Sequence, residues 1–187
     1  MLRCHHSRFG ATELNPGLGG GRFHPLHTTE GAPVSTLYGS DTPDGALSET
    51  VFHDVPVRGS GRAIRQATLR GLLLSTLAPR RDLRLAQLHG HGLRRVGVSR
   101  NELIECEAAG YARTRRWAEA LHRCPAEPDG LIWVSRQHDT SRAVVLFGDR
   151  VDRDNLEVSQ PPVPLAWGPG LDRVHEAAEA AGILVIW

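Results

Sequence analysis

Arginine carries every side-chain positive charge of this chain, and lysine is absent. The 187 residues include 22 arginines, opposed by 21 acidic residues. Without lysine the chain cannot form a Walker phosphate loop, a pyridoxal or aldolase Schiff base, or the lysine site of a protein kinase. The planar guanidinium group instead suits carboxylates and pyrophosphates. Phosphorylated ligands therefore remain a candidate substrate class.

Histidines and glycine runs are numerous, but their spacing does not fit the familiar sites. The ten histidines show no HExxH motif and no established ligand spacing, so no metal is expected. The segment Gly17 to Arg22 departs from the dinucleotide fingerprint GxGxxG at its sixth position, which is Arg22. No GxSxG elbow exists, and Ser60, between two glycines, predicts a turn.

Four short fragments hold the remaining candidates, namely Arg22, Tyr38, Glu49 and Ser135. Taken singly, each is typical of ordinary structure: a surface arginine, a tyrosine at the edge of a core, a solvated helix residue and a cap at the end of a strand. Their meaning depends on their order and on the elements that position them.

The first three candidates lie around a predicted strand, turn and helix. Residues 11–33 predict loops around at most one short strand near Arg22. Residues 34–38 predict a strand that ends at Tyr38. Asp41 or Thr42 then caps a helix in whose first turn Pro43 lies, and the helical pattern of residues 46–53 places Glu49 in mid-helix.

The second half of the chain alternates helical and extended patterns. Residues 67–77 fit either type, with a partner strand at 82–85. Ser99 and Glu102 have the spacing of a capping box, so a helix is expected to begin there. The remaining expectations are a helix at 111–122, a hairpin of strands 131–134 and 143–147, a helix at 171–181 and a strand at 183–187.

Length and composition indicate one folded domain spanning residues 1–187, and the uneven interleaving favours an α+β fold. Because the charges nearly cancel, no field attracts a phosphate backbone, and direct nucleic-acid binding is not expected. Three cysteines without a CxxC pair indicate a reduced compartment. Without an apolar leader or a run of about 18 apolar residues, we expect a cytoplasmic protein that does not bind membranes.

In this order, the four fragments resemble the RES domain family, named for its arginine, glutamate and serine. The resemblance runs from about Arg22 to Asp149, and its most specific parts are Gly21-Arg22-Phe23, the 11-residue separation of Tyr38 and Glu49, and the strand that leads to Ser135. It implies a fold similar to ADP-ribosyltransferases, with curved, mostly antiparallel sheets and flanking helices. It also implies that Arg22, Tyr38, Glu49 and Ser135 are catalytic residues lining one NAD pocket.

The resemblance further implies cleavage of the bond between nicotinamide and ribose. Loss of nicotinamide leaves an oxocarbenium-like ribose, which a fixed carboxylate at Glu49 would stabilise. Arg22 would bind the pyrophosphate or an attacking phosphate, Tyr38 would orient the ribose, and Ser135 would bond the ribose or the carboxamide. Phe23, where other members carry tyrosine, and Arg136 are expected to bind substrate.

The acceptor of the ADP-ribose stays open at this point. Phosphorolysis is favoured, with NAD and phosphate as substrates and no cofactor. Hydrolysis and ADP-ribosylation of a cellular protein are alternatives. Because family members include toxins of RES–Xre toxin–antitoxin systems, an Xre-like antitoxin is an expected partner. A different hypothesis is a nonenzymatic binding module, in which Arg113, Arg115 and Arg116 dock an acidic partner.

Overall fold

The computed structural model describes residues 1–59 and 61–187, so the turn predicted at Ser60 lies outside the described residues. The strands are β1 Leu2–His6, β2 Leu26–His27, β3 Pro33–Val34, β4 Thr36–Ser40, β5 Ala63–Arg65, β6 Leu72–Pro79, β7 Leu85–Gln87, β8 Gly130–Val134, β9 Arg142–Phe147, β10 Leu156–Pro164 and β11 Leu184–Ile186. The α-helices are α1 Pro43–Ser48, α2 His91–Val96, α3 Arg100–Leu103, α4 Tyr111–His122 and α5 Gly168–Ala180.

A seven-stranded sheet with the order β10-β6-β1-β4-β9-β8-β7 organises the chain. Its neighbouring strands pair antiparallel, except for the parallel pair of β7 and β8. Helices pack beside this sheet, and the predicted α+β fold with a mostly antiparallel sheet is confirmed. Two further pairs, β2 with β3 and β5 with β11, lie outside the main sheet.

Strand β9 shows how the sheet separates two cores. Ala143, Val145 and Phe147 belong to a cluster with residues of α4 and the Phe23 segment, whereas Val144 and Leu146 belong to a cluster on the opposite face. Successive side chains of a strand point to opposite faces of the sheet. An uninterrupted apolar run such as β9 therefore has apolar side chains buried on both faces. A third cluster holds α5 and the end of α1 against β6.

The sheet opens beside its centre, between β1 and β4. The described pairing of these strands consists of Leu2 with Ser40 alone. A Cβ at Gly39 would overlap the Met1 side chain and lie 2.9 Å from the Leu2 carbonyl oxygen, so glycine permits the close approach at that point. Beyond it, Cys4 pairs with β6 and Tyr38 pairs with β9, and both residues line a cavity between β1 and β4.

The predicted helix over residues 46–53 is wrong in its extent. Thr42 accepts from the Gly45 amide and Pro43 begins α1, as predicted, but the helix ends at Ser48 with Glu49 as its cap. The amides of Thr50, Val51 and Phe52 all donate to the Leu47 carbonyl, which interrupts the regular helical ladder. Glu49 therefore lies at a helix end, where the chain turns, and not in mid-helix.

Two strand predictions are also wrong. The segment 82–85 does not pair with 67–77, since β7 begins at Leu85 and pairs in parallel with β8. Residues 11–33 contain two short strands, β2 and β3, and neither includes Arg22. The Ser99–Glu102 capping box, the 111–122 helix and the β8–β9 hairpin are confirmed.

Asp129 fixes the chain at the start of β8. Its carboxylate accepts from Arg81 Nη1 and Nη2 at 3.0 and 2.7 Å and from the Arg84 amide at 2.8 Å. The bond from Arg81 and the other contacts hold the pKa of this carboxyl below its usual value, despite burial. This contact explains why the 82–85 segment turns toward β8.

We expect Asp129→Asn to lower the free energy of unfolding by about 1–2 kcal/mol at pH 7, because a charge-assisted bidentate contact is lost while its partner is partly solvated. Folding lowers the pKa of this carboxyl. The stability difference between wild type and variant is therefore complete above the pKa of the unfolded chain, and it disappears as the pH falls through the pKa of the folded protein. Urea titrations at several pH values measure it. Asp154→Asn, at an exposed pair, is the control, and an equal loss in both variants would contradict the assignment.

Candidate active site

A cavity of about 260 Å³ lies in the opening between β1 and β4. The end of α1 closes one side, and the segment that precedes β2 closes another. Arg22, Tyr38 and Glu49 all line it, together with Leu2, Cys4, Gly20, Gly21, His24, Gly39, Ser40, Ala46, Thr50, His53, Tyr111, Trp133 and Ala143. Three residues that are far apart in the sequence therefore share one concave surface.

Arg22 is held against the cavity wall by backbone carbonyls. Its Nη1 lies 3.3 Å from the Leu103 oxygen and 3.2 Å from the Cys106 oxygen, while its own carbonyl accepts from the Thr114 hydroxyl. The guanidinium carbon lies 5.2 Å from the ring centroid of Tyr111. All hydrogen bonds from its side chain within the described residues use Nη1, so Nε and Nη2 keep donors for an anion.

Tyr38 projects from β4 with its hydroxyl supported from behind. Its Oη accepts from the Phe23 amide at 3.2 Å, and its ring lies edge-on to Trp133 and His24. Burial raises the pKa of Tyr38, which keeps the phenol protonated. Because the oxygen already accepts one bond, its proton is left to donate to a bound molecule.

Phe23, expected to bind substrate, does not line this cavity. The ring is fully buried and packs edge-on against Trp133 at 4.9 Å between centroids. An apolar ring without a hydroxyl is stabilised by being removed from water into this core. Its amide still serves the site by bonding Tyr38.

Ser135 joins the site through Glu49. The Ser135 Oγ donates to Glu49 Oε1 at 2.6 Å and is fully buried. The same oxygen accepts from the amides of Gln137 and His138, each at 3.0 Å. Since both of these partners are donors, the single hydroxyl proton is directed to Glu49, which must accept it. Ser135 thus fixes one carboxylate oxygen as a hydrogen-bond acceptor.

Arg100 holds the backbone around Ser135. Its Nη2 lies 3.2 Å from the Ser135 oxygen and its Nη1 lies 3.4 Å from the Val134 oxygen, while its Nε bonds Glu105 at 2.6 Å. The capping box at Ser99 located the start of α3 in the sequence, but no pattern indicated that the next residue reaches the end of β8.

Arg136, expected to bind substrate, lies outside the cavity lining. Its side chain is exposed, and Nη1 donates to the Cys106 oxygen at 3.2 Å. Arg22 donates to the same oxygen, so two guanidinium groups converge on one carbonyl. Arg136 therefore adds positive charge near the site without contacting the cavity.

Sequence reasoning missed three lining residues, His24, His53 and Tyr111. Burial and the positive charge of Arg115 lower the pKa of His24, so this imidazole is neutral at physiological pH. His53 is exposed, and its Nδ1 lies 2.8 Å from Asp54. His24 directly follows Arg22 and Phe23, and this position in the sequence could have identified it. Tyr111 begins a predicted helix, and no sequence signal indicated that it lines the cavity.

Among residues 1–59 and 61–187, no three His, Cys, Asp or Glu side chains are grouped so that they could hold a metal ion. Within those same ranges, no helix combines the length and the apolar character that crossing a membrane requires.

The family model of the RES domain matches residues 1–168. The chain belongs to the RES domain family. A solved structure supports the fold of this RES protein: a chain in the crystal structure of the M. tuberculosis MbcT–MbcA toxin–antitoxin complex is similar to it, with a TM-score of 0.63 and 16% identity, over 92% of this chain and 86% of that chain. No curated protein matches the sequence.

The Ser135 contacts predict an unusual cost for a small deletion. We expect Ser135→Ala to lower the free energy of unfolding by about 1–3 kcal/mol, because two amides at Gln137 and His138 lose their acceptor in a buried place. Urea unfolding measures the change. Ser159→Ala, whose exposed hydroxyl bonds a single carbonyl, should change the value by less than about 0.5 kcal/mol. Equal losses in both variants would show that the hydrogen bonds accepted by Ser135 contribute no more to stability than an exposed one does.

Proposed function

We propose that this RES protein cleaves the bond between nicotinamide and ribose in NAD and transfers the ADP-ribose to phosphate. The observation that carries the proposal is the Glu49 carboxylate, held as a hydrogen-bond acceptor by Ser135 at 2.6 Å, on the wall of a cavity shared with Arg22 and Tyr38. The convergence of these side chains supports an enzyme over a nonenzymatic module that binds through the arginines of α4.

In the proposed reaction, the bond between the anomeric carbon and the pyridinium nitrogen breaks, and its electron pair neutralises the nicotinamide. Positive charge then develops on the ribose, where a fixed carboxylate stabilises it without reorganisation. A phosphate oxygen attacks the anomeric carbon, which gives ADP-ribose-1″-phosphate and nicotinamide. Charge and atoms balance without an added proton, oxidant or reductant.

The other residues of the cavity have separate tasks in this scheme. Arg22 uses its uncommitted Nε and Nη2 donors to bind phosphate oxygens of the substrate or of the acceptor. Tyr38 donates its hydroxyl proton to the ribose or the carboxamide. Ser135 acts through Glu49 as a positioning residue.

Phosphate is favoured as the acceptor because its attack does not require a general base. It is already anionic, whereas water or a protein hydroxyl needs a base to remove a proton. His53 favours hydrolysis, because this histidine lines the cavity and its Nδ1 lies 2.8 Å from Asp54. Incubation of the protein with NAD, with and without phosphate, separates phosphorolysis from hydrolysis by product identity. Labelling of added protein detects ADP-ribosylation.

We also infer a biological role from the family and the structural neighbour. The similar chain lies in a toxin–antitoxin complex, and NAD destruction is an effective way to stop growth. We propose that this protein is a toxin acting on cytoplasmic NAD and that an Xre-like antitoxin restrains it by binding.

Glu49→Gln is expected to reduce kcat about 10²–10³-fold, with a much smaller change in KM, because the lost charge is needed most when the ribose becomes cationic. The variant keeps the shape of the side chain. Initial rates of nicotinamide release at several NAD concentrations measure both constants, and a native melting curve serves as the folding control. Full turnover in a folded Glu49→Gln protein would disprove the catalytic assignment.

Arg22→Ala should raise KM for NAD or phosphate as well as lower kcat, because an anion contact acts in the ground state too. Arg116→Ala, on an exposed position of α4, is the matched control and should retain wild-type constants. An unchanged KM for both substrates in Arg22→Ala would remove Arg22 from the binding site.

Expression in a bacterial cytoplasm should lower cellular NAD and arrest growth, whereas expression of Glu49→Gln at the same level should do neither. Extracted NAD and growth are measured over time after induction. Coexpression with an Xre-like antitoxin that binds this protein should restore both. Unchanged NAD during strong expression of the folded wild type would contradict the toxin proposal.

A further inference from the structure

The proposed substrate is too large for the cavity that holds Glu49. Sites that enclose a drug-sized molecule usually measure about 300–1,000 Å³, and this cavity measures about 260 Å³. NAD contains two nucleotides, of which the reacting half carries nicotinamide and one ribose. The cavity therefore matches the reacting half, and the adenosine half must bind elsewhere.

A second cavity of about 390 Å³ adjoins the first. Cys4 lines both cavities, and consecutive glycines continue from one to the other: Gly19 lines the second, and Gly20 and Gly21 line the first. The chain thus leads from the second cavity past the glycines to Arg22. A ligand that follows this path would reach both spaces.

The glycine segment is suited to the middle of such a ligand. Gly19 has a φ of +79°, and a Cβ there would meet nothing within 4 Å, so the backbone is open to close approach. A Cβ at Gly20 would lie 3.9 Å from Arg115 Nη1. Arg115 and Arg22 therefore flank a stretch of exposed backbone, an arrangement that fits a diphosphate.

The second cavity has the chemistry of a nucleotide site. Arg3 and Arg8 lie in its wall, against the single carboxylate of Glu13. Phe9 is 38% exposed, and the Arg8 guanidinium carbon lies 4.8 Å from its ring centroid. An exposed aromatic ring beside a cation offers a stacking surface for a base and a charge for its phosphate.

The walls of this cavity are already ordered by internal hydrogen bonds. Arg3 Nη1 donates to the carbonyls of Ala11 and Glu13, each at 2.7 Å. Asn15 Oδ1 accepts from the amides of Gly17 and Leu18 at 3.0 and 2.7 Å. Little ordering entropy would be lost when a ligand binds to such a wall.

A third cavity is a poorer candidate for the adenosine half. It measures about 400 Å³, but it shares no lining residue with the first cavity within the described chain. Its wall holds the carboxylates of Asp44 and Asp139 against the single guanidinium group of Arg136, whereas the second cavity has two arginines and one carboxylate. These carboxylates would repel a phosphate in the third cavity, whereas the arginines of the second cavity would attract one.

We propose that the second cavity binds the adenosine monophosphate half of NAD, with adenine on the Phe9 ring, the adenylate phosphate near Arg8, and the diphosphate crossing Gly19–Gly21. This inference rests on the proposed function and specifies its substrate. A dinucleotide is preferred over a mononucleotide because its two halves fill both cavities. Phe9 and Arg8 are binding residues in this assignment, remote from the bond that breaks.

The test measures AMP binding by calorimetry and NAD kinetics on the full chain. Phe9→Ala and Arg8→Gln are both exposed positions, and Arg173→Gln, on an exposed position of α5, is the control. We expect Phe9→Ala to weaken AMP binding and to raise KM for NAD roughly ten-fold, as loss of base stacking does. Arg8→Gln should change both values in the same direction, with kcat within two-fold of wild type, and the control should change neither.

The outcomes separate this inference from the proposed function. Normal NAD cleavage with unchanged KM and AMP affinity in both variants would overturn the second-cavity assignment alone. Absence of AMP binding to wild type at millimolar concentrations would overturn it as well. AMP binding that is lost in the variants of a protein that does not cleave NAD would support the nucleotide site and reject the proposed reaction.

Discussion

The hydrogen bond between Ser135 and Glu49 is the contact on which the site depends. It joins the end of α1 to the end of β8, two places separated by 86 positions in the chain. Two amides direct the serine proton to the carboxylate, so neither partner can rotate without leaving a buried donor unpaired. A catalytic carboxylate gains from such fixation, because its charge then needs no reorganisation as the ribose becomes cationic.

The early end of α1 makes this contact possible. If the helix continued through residue 53, as its composition suggested, Glu49 would lie within its second turn with neighbours on both sides. Instead three amides turn onto the Leu47 carbonyl, and Glu49 caps the helix at the edge of the cavity. Thr42 and Pro43 set where the helix begins, and the local competition for one carbonyl sets where it ends.

The sequence predicted the elements that depend on local signals. The capping box at Ser99, the helix over 111–122 and the β8–β9 hairpin follow from caps and short-range periodicity. The pairing of β7 with β8 could not be predicted, because it depends on Arg81 and Asp129, which are 48 positions apart. The candidate residues came from a family resemblance, whereas Arg100 and Tyr111 required three-dimensional contacts to be found. Phe23 illustrates the limit: its place in the motif was informative, but its ring lies in the core.

Arginines serve two purposes here, and their partners distinguish them. Arg81 pairs with Asp129 and Arg100 pairs with Glu105, so the charge of each is largely cancelled and each secures a backbone segment. Arg22 and Arg136 are held instead by the carbonyl of Cys106, a dipole that orients a guanidinium without neutralising it. In a chain without lysine, this choice of partner decides where positive charge remains for a ligand. Arg22 and Arg136 lie in or beside the cavity, where the anionic groups of a dinucleotide or of phosphate require that charge.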